Sequence, residues 1–97
     1  MVTGTLAVDV VLGDVHSLKQ KRALVRPVLA ELRRRFTVSA AEAGHLDLHR
    51  RVLIGVAVVG ADFDHVVRVL DACERLLADR PELQVLDARR WLRTEGD

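Results

Sequence analysis

No stretch narrows the choice of fold more than residues 51–60, RVLIGVAVVG, an almost unbroken apolar run rich in β-branched side chains. Ten residues fall well short of the roughly 18 that a membrane span needs, and the β-branched content favours strand over helix. A run with so little polar alternation reads as a central strand, flanked on both sides within a sheet. The rest of the chain must supply those flanking strands and a layer to cover them.

Residues 2–13, VTGTLAVDVVLG, alternate with period two. Leu6, Val8, Val10 and Leu12 take the core side, and Thr3, Thr5, Ala7, Asp9 and Val11 the other. TVSAAEAG (37–44) reads as a further strand with Val38 and Ala40 inward. It is followed by HLDLHR, a loop too long for a two-residue hairpin turn. LQVLDARRWLR (83–93) is a last strand, with Leu86, Ala88, Arg90 and Leu92 on one side and Val85, Asp87, Arg89 and Trp91 on the other.

Two helices lie between the strands. Ser17 caps the first, with Gln20 completing an S-x-x-Q box by reaching back to the Ser17 amide. Leu18, Val25, Val28, Leu29, Leu32 and Phe36 share one face. Pro27 falls opposite that face, where the lost hydrogen bond should bend the helix on its solvent side. Asp62 caps the second helix, which runs to about Asp79 before Arg80-Pro81 stops it. Its apolar stripe is Phe63, Val66, Val67, Leu70, Cys73 and Leu77, with Asp64–Arg68 and Asp71–Arg75 as i,i+4 pairs on the solvated side.

The order is β-α-β-β-α-β. Two right-handed crossovers over one four-stranded antiparallel sheet, with both helices on the same face, make a ferredoxin-like α+β sandwich. At 97 residues the chain has room for one such domain, spanning 1–97. A lone Cys73 leaves no internal disulfide, which suits a reducing compartment. No leader or membrane-length run is found, so a soluble, cytoplasmic protein is expected.

Charge is where function becomes legible. The whole chain carries a net +1, yet residues 18–35 hold seven basic side chains against one acid, Glu31, a net of +6 that leaves −5 for the remainder. Such asymmetry implies one face built for an anionic partner. His16, Ser17, Lys19, Lys21 and Arg22 surround the mouth of the first helix, where free amide hydrogens and the helix dipole favour an anion. Lys19, Arg22, Arg26, Arg33 and Arg34 continue as a stripe about 20 Å long, a length that meets several successive phosphates of a nucleic acid. The alternative is that Ser17 only caps and the cations are solvated.

Other chemistries fare worse. The uncovered sheet face lacks the aromatics of an RNA-recognition motif, since only Trp91 could stack a base. That face, with Val11, Leu53, Val59 and Val85, is instead expected to meet a second copy or a partner. His45, Asp47 and His49 form an H-x-D-x-H string in a loop, where the spacing fixes no coordination shape, and no metal or cofactor is assigned. Cys73 lies on an apolar stripe and reads as a buried thiol.

HSLKQKR (16–22), RRFTVSAAE (34–42) and DLHRRVLIGVAVVG (47–60) together resemble the YlxP-like family, small bacterial proteins of unassigned function. The resemblance covers nearly the whole chain, with Ser17, Leu18, Lys19, Lys21, Arg22, Phe36, Ser39, Glu42 and Asp47 as the shared positions. It implies a ferredoxin-like fold. Because genes of that family commonly lie beside those for translation initiation and ribosome-binding factors, it also implies a link to RNA or ribosomal particles. Three readings are carried forward. The first is a non-enzymatic RNA- or ribosome-binding module acting through the first helix. The second is a homodimer or regulatory oligomer joined through the open sheet face. The third is a small phosphate-handling enzyme like the acylphosphatases, which share this fold but whose Gly-rich loop, arginine and catalytic Asn are not apparent here.

Overall fold

Strand formation follows side-chain alternation closely. In a computed structural model describing residues 1–96, β3 (Arg51–Gly60) buries Val52, Ile54, Val56 and Val58. It lies beside β1 (Val2–Leu12), which buries Val2 and every even position from Gly4 to Leu12. The sheet order is β2-β3-β1-β4, all antiparallel. The two most apolar strands are central, while β2 (Ser39–Gly44) and β4 (Leu83–Thr94) form the edges. Helices α1 (Leu18–Arg35) and α2 (Phe63–Ala78) cover one face, giving the β-α-β-β-α-β sandwich expected of the ferredoxin-like fold.

Gly4 marks how tightly α2 seats on the sheet. A Cβ there would fall 2.6 Å from Val66 Cγ1 and 3.0 Å from Leu70 Cδ1, so only glycine admits the helix. No helix among the described residues is long and apolar enough to cross a membrane.

Three details of side-chain placement differ from the sequence reading. The register of β4 against β1 shifts between Asp9 and Val10, which face Asp87 and Val85 respectively, with Leu86 as the extra residue. A bulge reverses the parity of a strand. Val85 consequently packs against the core rather than on the open face, and Leu86 is exposed. On α2, Phe63 is 52% exposed whereas Leu76 is buried. A helical side chain covers the turn N-terminal to its own Cα, and before Phe63 there is only the capping loop. Asp71 also turns to a different partner. It joins Glu74 in gripping Arg90 of β4 at 2.8 and 3.0 Å, in place of a pair with Arg75 along the helix.

Helix α1 runs unbroken for 18 residues through the exposed Pro27. Ser17 Oγ accepts from the Gln20 amide at 3.1 Å. The Gln20 side chain reaches one residue further back than anticipated and accepts from the His16 amide at 2.7 Å. Val15, 4% exposed, anchors the loop into the core just before the cap.

Candidate nucleic-acid interface

The helical wheel places Lys21 between Leu18 and Val25, inside the apolar stripe. The structure accordingly buries it to 1% exposure. A buried ammonium needs partners for all three of its hydrogens, and Lys21 has them. Its Nζ lies 2.7 Å from Glu42 Oε2 and donates to the carbonyls of His45 at 2.7 Å and Leu48 at 2.8 Å. Period-two alternation along β2 is what turns Glu42 inward, two residues after the buried Ala40. Lys21 therefore fastens the loop of residues 45–50 to α1. It is removed from the set of residues expected to meet an anion at the helix mouth.

That mouth is altered in other ways. His16 Nε2 sits 2.6 Å from Asp14 Oδ1, which places a carboxylate beside the loop. Arg50 donates its Nε to the carbonyls of Leu12 at 3.2 Å and Gly13 at 3.0 Å, so its guanidinium holds the backbone of this loop. Ser17 is occupied as the cap. Of the anion-binding set, Lys19 and Arg22 remain exposed and without an ion-pair partner among the described residues, with His16 turned toward Asp14.

The stripe further along α1 divides in two. Arg33 donates Nε and Nη2 to the Ala40 carbonyl at 3.1 and 2.6 Å, clamping the start of β2. Arg34 lies 3.8 Å from Glu31, whose other oxygen is taken by Arg80. Arg35 stacks over the Phe36 ring, 5.6 Å from its centroid, on the far side of the helix. Lys19, Arg22 and Arg26 are exposed, and among the described residues none of them is ion-paired. Spaced i, i+3 and i+7, they line one edge of the helix over about 10 Å.

Beside that edge runs a groove of about 560 Å³ lined by Arg22, Val25, Arg26, Leu29, Ala30, Arg33 and Glu42. Sequence reading found its cations but not its floor or its carboxylate. Helical spacing of Val25, Leu29 and Arg33, together with the inward parity of Glu42, was the signal that could have located it. The remaining polar cluster lies on the open sheet face. There Arg51 meets Asp9 at 2.7 Å and His45 Nε2 meets it at 3.3 Å. The Arg51 hydrogen bonds hold the Asp9 carboxyl below the usual carboxylate range. His45 belongs to this cluster, while Asp47 and His49 are exposed in the loop.

Sequence comparison places the chain in a family on this fold. The family model described as "Protein of unknown function (DUF503)" matches residues 3–90, and the chain belongs to that family. It is 28% identical over 76 residues to a protein of Bacillus subtilis (strain 168) named "Uncharacterized protein YlxP", covering 78% of this chain and 83% of that protein.

Proposed function

We propose that this protein is a non-enzymatic binding module that docks RNA, on ribosomal particles, along the outer edge of α1. The observation that carries this reading is the row Lys19–Arg22–Arg26, which has no ion-pair partner among the described residues. Arg34, 73% exposed and only loosely paired, extends the row toward the C-terminal end. Contacts of this kind fall on phosphates, are independent of sequence and release counterions. Binding to a ribosomal RNA fragment should therefore weaken steeply with salt. Three to four contacts correspond to a log–log slope of roughly −2 to −3 on a single strand. Fluorescence anisotropy between 50 and 300 mM salt measures it, and a flat profile would refute the proposal.

A second copy on the open sheet face is the alternative. Val59 at 62% and Trp91 at 53% exposure, on the face that no helix covers, favour it. Sedimentation of the wild type against Val59→Lys separates the two readings, because only the second predicts a dimer that the lysine disrupts.

A further inference from the structure

The groove between α1 and β2 is more than a strip of positive charge. Its floor is aliphatic, from Val25, Leu29 and Ala30, and its rim carries three guanidinium groups and one carboxylate. Two of those four rim groups are fixed by the fold. Arg33 is held through two donations to the Ala40 carbonyl, which leaves three of its five N–H groups for a ligand. Glu42 is held through Oε2 by buried Lys21, so Oε1 remains as a placed acceptor. Arg22 and Arg26, one turn apart, are exposed and, among the described residues, unpaired.

We infer that this groove takes an unpaired base of single-stranded RNA, with the flanking phosphates on Arg22 and Arg26 and the amino-bearing edge of the base read by Glu42 and Arg33. The inference rests on the RNA-binding reading and narrows it to strand type and base class. An acceptor beside a donor matches cytosine or adenine, which present an exocyclic amine next to a ring-nitrogen acceptor. Uracil offers a carbonyl where the amine would be, and that oxygen would face the Glu42 carboxylate. An unpaired polar contact of this kind discriminates well in a partly buried site.

Charge complementarity selects a nucleic acid over the other anionic occupant, an acidic peptide. A peptide would bind here by adding a strand to the open edge of β2. The Ala40 carbonyl on that edge already accepts twice from Arg33, which blocks regular pairing. Glu42 would also repel a peptide carboxylate, whereas it can accept from a base amine. A duplex cannot deliver a base into the groove, because its Watson–Crick edges are occupied.

The test uses the full chain and three labelled probes: a cytidine hexamer, a uridine hexamer and a 16-base-pair RNA duplex. Wild type should bind the cytidine hexamer at least tenfold more tightly than the uridine hexamer. Ala30→Leu, at an exposed helix position, fills the floor while keeping every cation and the Lys21 pair in the sequence. It should abolish that preference while leaving duplex binding within twofold. Glu42→Gln should also lose the preference, and Ala30→Leu decides the matter if Glu42→Gln fails to fold. Equal binding of both hexamers, or an Ala30→Leu protein that keeps the preference, would overturn the base pocket yet leave phosphate docking intact. No binding to any RNA would sink both readings. Competition by a hexaglutamate peptide as strong as that by cytidine hexamer would reassign the groove to an acidic segment.

Discussion

Helices α1 and α2 cover the same face of one sheet, but they bring their polar groups to it in opposite ways. The titratable group that α2 buries is Cys73, 0% exposed and neutral. Its outer acids Asp71 and Glu74 are drawn to Arg90 of the neighbouring strand. Helix α1 buries a full charge, Lys21, and satisfies it with one carboxylate and two carbonyls of a distant loop. Its outer cations Lys19, Arg22 and Arg26 have no ion-pair partner among the described residues. The outer surface of α2 sets its exposed Arg68 and Arg75 among acids, Asp64, Asp71 and Glu74, so it presents no row of one sign. On α1 the inward carboxylate of Glu42 goes to the buried lysine and that of Glu31 to Arg80 and Arg34, so the cations at 19, 22 and 26 stay available.

The sharpest way to break the comparison is Lys21→Met. Removing one member of a buried ion pair leaves the other uncompensated, and such changes cost about 3–5 kcal/mol. Here two carbonyls also lose their donor, so adding Glu42→Gln should recover only part of the loss. Urea unfolding gives the stability, and amide exchange should show the 45–50 loop opening first. A loss below about 1 kcal/mol would mean that the loop does not depend on this lysine.

Next in size is the functional contrast. Arg22→Glu with Arg26→Glu reverses two exposed charges and should lower RNA affinity by about 100-fold at 50 mM salt, roughly 2.7 kcal/mol. Arg68→Glu with Arg75→Glu, the matching reversal on α2, should change it by less than about threefold. Equal losses from both would mean that net charge, not the α1 edge, governs binding.

A milder contrast concerns the ties themselves. Arg90→Met removes two partly exposed ion pairs between β4 and α2, and should cost about 1 kcal/mol or less, since solvent screens both. A loss matching that of Lys21→Met would erase the distinction between a buried and a surface tie.

Much of this was legible in the residues, and the failures have physical causes. Alternation in 51–60 and 2–13 identified the central strands, because one buried face forces period two. Parity broke at Leu86, where a single extra residue reverses every side chain beyond it, and composition gives no warning of a bulge. The charge of Lys21 points to an anion site, although the wheel sets it in the apolar stripe and alternation sets Glu42 inward. The two patterns had to be read together to yield the pair. Arg33 shows the remaining gap. Its clamp on Ala40 depends on how closely the end of α1 passes the edge strand, a distance that no local pattern encodes.

The effect that is smallest up to pH 9 tests the buried group of α2. Burial pushes the Cys73 thiol up from an ordinary value of 9.0 to about 11, because the thiolate would lose its hydration inside the core. A folded-state pKa above the unfolded one contributes stability that is complete below pH 9. It falls away as pH rises toward about 11, since the unfolded chain ionises first and draws the equilibrium toward itself. At pH 9 the loss amounts to only about 0.4 kcal/mol, steepening to at most about 1.4 kcal/mol per pH unit above it. Cys73→Ala should remove this alkaline slope while costing a pH-independent amount for the smaller side chain. Urea midpoints between pH 7.5 and 10 resolve the two terms. A variant that keeps the wild-type slope would place the titration elsewhere, and the neutral, inert character of the α2 core face would lose its support.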